Sequence, residues 1–359
     1  MSDKTSLDVP LYTGGALQIS VTGVNRCKDR ESSAKVMAAT IKKIGGYVDA
    51  HVNFVKFHQG TDVRLTVLPE YIFSGFPIHE GHEHWMEIGC IRYDGPEYEA
   101  LGDIAQRNKL FLAGNVYEID PNFPEIYFQT CFIIDPSGDV IHRYRRLTSA
   151  LDSTPHDVLD KYLDIYGLDG VFPVTRTEIG NLATVASEEI MWPELTRIHA
   201  LRGAEIILHP TSEPGSLKMT DREACRRARA FENAVYVISA NTASIDDIPI
   251  PAYTCSMMSK VVDYNSNILA EAAPGGESML AHAVIDIRGL RSKRRRVGMS
   301  NLLARQPTDL YAMAYAEANI HPANSLLQDG KVTPPADRVA FYRERQEKVL
   351  ERMTNAGII

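Results

Sequence analysis

Leu182-Ala-Thr-Val-Ala-Ser-Glu-Glu-Ile-Met-Trp-Pro-Glu194 is the stretch whose reading decides the fold. A leucine and four small or β-branched residues end abruptly at Ser187. Two acids follow, and a helix opens near Trp192-Pro193-Glu194. A proline in the first turn suits a helix start, where the missing N–H costs nothing. The pattern predicts a buried strand, a sharp turn carrying a hydroxyl, and a helix. Ser187 also fits a plain capping serine for that helix.

Outward from this point, strand and helix patterns alternate. Strands are expected over 16–22, 63–68, 110–117, 127–134, 140–144, 182–186, 205–208, 234–240, 261–263, 268–271 and 280–285, and helices over 34–58, 98–108 and 221–231. Asp135-Pro-Ser-Gly138 and Tyr264-Asn-Ser-Asn267 read as hairpin turns. Hairpins mixed with strand–helix units point to an α/β sandwich rather than one all-parallel sheet. No linker or repeat divides the chain. One domain is expected over 1–305, followed by a tail over 306–359 that packs on the domain or on a neighbouring subunit. Its last part, 334–353, reads as a charged helix.

The chain has 359 residues, 44% hydrophobic and 23% charged, with a net charge of −8. These are values of an ordinary soluble domain, and the acidic balance argues against nucleic-acid binding. No apolar run reaches the ~20 residues needed to span a bilayer. Met1–Ser6 carries no targeting pattern. Five scattered cysteines show no metal or redox spacing, which predicts reduced thiols in a cytoplasmic protein. The run Arg291-Ser-Lys-Arg-Arg-Arg296 reads as an interface or a solvated face.

Two further segments carry chemistry. Val63-Arg-Leu-Thr-Val-Leu-Pro-Glu-Tyr71 places Glu70 directly after a buried strand, where scarce water raises a carboxyl pKa toward proton-transfer use. Glu70 equally fits an acid at a helix N-terminus. The second segment is Asp135-Pro-Ser-Gly-Asp-Val-Ile-His-Arg-Tyr-Arg-Arg-Leu147, a hairpin leading into a basic stretch. A Ser–His arrangement is disfavoured: there is no Gly-x-Ser-x-Gly elbow, and His142 and His156 read as ordinary loop residues.

Taken in order, Leu68-Pro-Glu-Tyr71 with Phe73-Ser-Gly-Phe-Pro77, the 135–147 hairpin, and the 182–194 elbow resemble the nitrilase, or carbon-nitrogen hydrolase, superfamily. Leu201–Ser212 and Arg227–Asn241 resemble its later strands and helix, so the likeness covers roughly residues 14–290. It implies a four-layer α-β-β-α sandwich that pairs across its helices, hence a homodimer or larger homo-oligomer. It implies Glu70 as general base, Arg146 at the catalytic lysine position and Ser187 at the catalytic cysteine position. Tyr71, Glu188, Trp192 and Asp152 are expected at the substrate. Asp152, Asp160, Glu188 and Glu189 compete for the role of supporting acid, and Lys161 is the next basic candidate after Arg146. No metal or cofactor is implied.

Both replacements matter. A serine hydroxyl needs a stronger adjacent base than a thiol, and arginine cannot shuttle a proton as lysine can. The expected activity is hydrolysis of a small amide, nitrile or N-carbamoyl compound. The alternative is an inactive pseudoenzyme or binding protein that keeps the pocket.

Overall fold

The computed structural model describes residues 9–214, 220–318 and 320–359. Met1–Ser6, read above for a targeting pattern, lies outside them. The chain begins with β1 (Tyr12–Thr22), α1 (Arg30–Gln59), β2 (Val63–Val67), α2 (His82–Ile88), β3 (Cys90–Arg92) and α3 (Pro96–Asn108). There follow β4 (Phe111–Ile119), β5 (Phe128–Ile134), β6 (Val140–Arg145), α4 (Leu159–Val171), β7 (Thr175–Thr177) and β8 (Gly180–Thr184). Then come α5 (Pro193–Leu201), β9 (Ile206–Thr211), α6 (Asp221–Asn233), β10 (Tyr236–Asp246), β11 (Lys260–Val262) and β12 (Ile268–Glu271). The last elements are β13 (Ser278–Ile285), α7 (Ile287–Arg295), α8 (Thr308–Glu317) and α9 (Arg338–Asn355).

Side-chain alternation explains the layers. In β4, Phe111 and Ala113 face one apolar cluster while Leu112 and Val116 face another. In β9 and β10, Ile206, Leu208, Tyr236 and Ile238 share the cluster of Phe111, whereas Ile207 and Val237 join a third with Leu195 of α5 and Ala230 of α6. Strands buried on both faces need cover on both. The middle cluster therefore lies between two sheets. The first outer cluster lies under α1 and α3, which contribute Met37, Ile44, Val48, Leu101 and Ile104. The result is the α-β-β-α sandwich.

One sheet runs β6-β5-β4-β2-β1 with β13 beside β1; the other runs β10-β9-β8-β7 with β11 and β12 beside β10. The two long strands join them. The end of β1 pairs in parallel with the end of β10, Ile19 against Thr242 and Thr22 against Asp246. Strand β1 starts earlier than its apolar pattern predicts, because Gly14 and Gly15 belong to it. A Cβ on Gly15 would stand 2.9 Å from both His51 and His282.

The tail contacts its own domain. The Asn324 N–H donates to the His156 carbonyl at 2.9 Å, and Leu326 N–H to that of Asp157 at 3.0 Å. Asp157 also pairs with Arg345 of α9. No described helix is long and apolar enough to cross a membrane.

Candidate active site

Strand β8 leads through buried Val185 and Ala186 to Ser187, whose backbone is left-handed at φ 51°. Two groups hold this strained turn. The buried Glu189 carboxylate accepts from Ala186 N–H at 3.0 Å, from the Tyr144 hydroxyl at 2.8 Å, and from Leu147 and Thr148 N–H at 2.7 and 3.1 Å. It thereby locks the elbow to the segment after β6. The Ser187 carbonyl lies 2.7 Å from His209 Nε2. A carbonyl only accepts, so Nε2 carries the proton and Nδ1 accepts from the Ser239 hydroxyl at 2.9 Å. Burial, aided by the Arg226 charge, holds the His209 pKa well below its usual value, so the ring stays neutral.

Alternation at the end of β6 separates two adjacent arginines. Arg145 joins Glu118 and Asp120. Arg146 faces the other way. Its Nη1 donates to Gln129 Oε1 at 2.7 Å and lies 3.7 Å from Glu70 Oε1. Its Nη2 pairs with Glu188, and its Nε donates to the Thr148 carbonyl at 2.6 Å. Arginine can only donate, so Gln129 must turn its oxygen to Arg146 and its amino group to Glu70. That amino group lies 2.5 Å from Glu70 Oε1 and 3.1 Å from Asn115 Oδ1.

Glu70 follows β2 and is fully buried. Its Oε2 has no hydrogen-bond partner among the described residues. Burial raises its pKa, against the opposing charges of Arg146 and Arg222, the Gln129 hydrogen bond and the nearby Tyr71 hydroxyl. Arg146 stays charged: burial opposes this, but Tyr71, Glu70 and Glu188 outweigh it. The Ser187 hydroxyl makes no hydrogen bond among the described residues, whereas its neighbour Glu188 is tied to Arg146.

A cavity of about 130 Å³ opens beside this cluster, walled by Tyr71, Phe76, Tyr117, Arg146, Asp152 and Glu188 among others. Tyr71, Asp152 and Glu188 belong to this wall, whereas Glu70 and Ser187 are not among its lining residues. Trp192 does not: it is 38% exposed, at the start of α5. The turn that carries it leads away once Pro193 starts the helix. Asp152 accepts from the Tyr117 and Tyr127 hydroxyls at 3.3 and 3.1 Å and pairs with Arg338 of α9 at 3.0 Å. Asp160 is exposed in the first turn of α4. Lys161 lies 4.8 Å over the Phe123 ring, in a different apolar cluster. His142 is buried between the Thr175 and Thr184 hydroxyls, and His156 packs against His321.

Sequence reasoning missed Gln129, His209 and Arg338. Gln129 left a trace, as a polar residue inside the apolar run of β5. Arg338 left none, because only the folded tail brings it to the cavity. Among the described residues no group of three or more His, Cys, Asp or Glu is placed to hold a metal ion.

Omega-amidase NIT3 of Saccharomyces cerevisiae is 23% identical over 277 residues, 75% of this chain and 93% of its own. A probable nitrilase of Schizosaccharomyces pombe is 26% identical over 184 residues, 51% of this chain; the match spans only 63% of that relative's length. The crystal structure of Saccharomyces cerevisiae Nit3, a member of the nitrilase superfamily, superposes with a TM-score of 0.62 at 20% identity, over 82% of this chain and 97% of that one, so the fold is shared. The family profile of carbon-nitrogen hydrolases matches residues 28–295, which takes in the Glu70 strand end, the Arg146 hairpin and the Ser187 elbow. On that span the chain belongs to the carbon-nitrogen hydrolase family, the nitrilase superfamily.

Proposed function

We propose that the chain hydrolyses a non-peptide carbon–nitrogen bond in a small amide, nitrile or N-carbamoyl compound. One observation carries this reading: a fully buried Glu70 with a raised pKa and an unpartnered Oε2, beside a charged Arg146 that is tied to the Ser187 turn. An unpaired buried carboxylate oxygen is costly and is suited to accept a proton. The small cavity favours small substrates. Relatives named omega-amidase and formamidase support the bond type.

For an amide, Glu70 accepts the Ser187 hydroxyl proton as Oγ bonds to the carbonyl carbon. The oxyanion that forms is stabilised by the fixed charge of Arg146. On collapse the C–N bond breaks, and Glu70 returns the proton to the departing nitrogen, which leaves as ammonia from a primary amide. Water then attacks the Ser187 ester. Glu70 takes its proton and restores it to Oγ, releasing the acid. Arg146 holds charge throughout and moves no proton.

A second reading has its own support. Arg146 already donates to Gln129, Thr148 and Glu188, which leaves it little freedom to follow a forming oxyanion. A pocket so braced would retain an amide or carboxylate ligand without turnover.

Ammonia release from small amides, nitriles and N-carbamoyl compounds separates the two. Turnover by the native chain that Ser187→Ala and Glu70→Gln each abolish supports the serine mechanism. Turnover that survives Ser187→Ala leaves Glu70-activated water as the route. Silence of the native chain, with activity gained by Ser187→Cys combined with Arg146→Lys, supports the binding reading. We further propose a homodimer or larger homo-oligomer in the cytoplasm. Helix α8 buries none of its residues and exposes Leu310, Tyr311, Met313 and Tyr315, apolar surface spread around the helix that a second copy would cover. A monomeric mass by light scattering at micromolar concentration would refute it.

A further inference from the structure

The basic run at 291–296 is only partly a solvated face: Ser292, Arg295 and Arg296 are exposed, whereas Arg291, Lys293 and Arg294 are half-buried. It forms most of α7, and its members have different fates. Arg291 pairs with Glu205 at 2.6 Å. Arg294 donates to the carbonyls of Ala234 at 3.0 Å and Ala204 at 2.6 Å, the chain ends just after α6 and just before β9. Lys293 donates to the Tyr264 carbonyl and to Asn265 Oδ1 at 2.6 and 2.8 Å, and its Nζ lies 5.4 Å from the ring centres of both Phe231 and Tyr264.

Among the described residues neither Lys293 nor Arg294 has a carboxylate within ion-pair distance, and Arg294 donates through Nε and Nη2 to the carbonyls of Ala234, Ala204 and Asn233. Their direct partners are therefore neutral dipoles, while Glu205 and Asp263 act on Arg294 and Lys293 only from a distance. Burial accordingly pushes Arg294 down to about 10 and lowers Lys293. Both face a cavity of about 720 Å³ whose wall also holds Arg288, Arg296 and Asn301. The two acids in that wall are engaged elsewhere. Asp286 caps α7 by accepting from Gly289 N–H at 2.8 Å, and Glu232 pairs with Arg229 at 3.0 Å.

We propose that this cavity binds a small multivalent oxyanion of the phosphate class. Arg294 and Lys293 form its floor, and Arg288 and Arg296 its rim. It lies at the opposite edge of the sandwich from the candidate active site, since Ala204 and Ala234 precede their strands whereas Ser187 and Glu70 follow theirs. An oxyanion there would supply the missing counter-charge and accept charge-assisted hydrogen bonds from several donors at once. The inference does not rest on the hydrolase reading, because it concerns equilibrium binding at a separate place.

The test is calorimetric titration of the full chain at low ionic strength with pyrophosphate, inorganic phosphate and citrate. The expected result is saturable one-to-one binding of pyrophosphate, tighter than phosphate and weakened by added salt. Citrate binding as tightly as pyrophosphate would overturn the phosphate assignment. The double variant Arg288→Met with Arg296→Met should weaken pyrophosphate at least about tenfold. These rim residues are exposed, so the change spares the fold. Arg294→Met also removes the contacts to Ala204 and Ala234, and is read only together with the rim pair. Absence of saturation up to about 10 mM overturns the proposal. So does binding that the rim variant keeps, or binding that Arg146→Met abolishes, which would move the anion to the candidate active site.

Discussion

Arg145 and Arg146 are neighbours in sequence, yet they serve two buried charge clusters of opposite character. On Arg145's side all four carboxylate oxygens are satisfied. Glu118 accepts from Arg145 at 3.2 Å, Arg143 at 3.1 Å and the Tyr98 hydroxyl at 2.7 Å. Asp120 accepts from Arg145 at 2.5 Å, the Tyr166 hydroxyl at 2.6 Å and the Asn122 N–H at 2.8 Å. On Arg146's side, Glu70 has one oxygen bonded and one bare, and its arginine stands 3.7 Å away. A closed network fixes a shape; a cluster with an open acceptor is poised for a proton or a ligand.

The comparison breaks most visibly at Arg145. Arg145→Met strips the shared cation from two buried carboxylates, and removing one partner of such a network costs about 3–5 kcal/mol. Arg146→Met should cost less, about 1–2 kcal/mol, because burial already works against the Glu70 charge and Gln129 still donates to it. Urea denaturation of the two variants side by side measures the gap. Equal losses would mean that Arg146 is as structural as Arg145, and would weaken the case for a site.

Glu70 sharpens the same contrast through pH. Its pKa is raised in the fold, so between the ordinary carboxylate value and that raised value the folded chain holds a proton that the unfolded chain has lost. Native stability therefore falls as pH rises through that window, by up to ~1.4 kcal/mol per pH unit. Glu70→Gln removes this dependence. Its stability relative to the native chain should improve from pH 5 to pH 8, read from denaturation midpoints. A variant that instead loses ground toward pH 8 would show that Glu70 is ionised and stabilised by Arg146.

Much of this was legible in the sequence, for identifiable reasons. Strands such as β4 and β9 open on apolar runs, Phe111-Leu-Ala113 and Ile206-Ile-Leu208, and α1 carries clean punctuation: Asp29 caps it by accepting from Ser32 N–H at 2.9 Å, and Gly60 ends it at φ 67°. Glu70, Arg146 and the 182–194 elbow were legible because each ends a strand or a hairpin. Four helices were not. Helix α4 is interrupted at Gly167, whose backbone is non-helical, and α7 is masked by its own charge. Helix α2 is only seven residues long, and α8 has no buried face to give a period. Trp192 was misplaced because a turn's exit direction depends on tertiary packing. Gln129, His209 and Arg338 act across sheets or from the tail, where sequence neighbours carry no information about spatial ones.

The finest distinction between the two clusters lies in the backbone. The Arg145 network contains no residue of positive φ, whereas Ser187 sits at 51° and Tyr71, next to Glu70, at 57°. A left-handed backbone costs a residue with a Cβ roughly 1 kcal/mol, and is held only where surroundings over-determine it. For Ser187 those surroundings are Glu189 on one side and His209 on the other. Ser187→Gly should relieve the strain, while the freer unfolded chain takes part of the gain back. The expected net is a stabilisation of about 0.5 kcal/mol, with any turnover lost. Ser187→Ala keeps the strain and should leave stability unchanged while losing the same activity. Thermal melts of the two variants read the difference directly. If Ser187→Gly is the less stable of the pair, the elbow is not strained, and its left-handed turn says nothing about function.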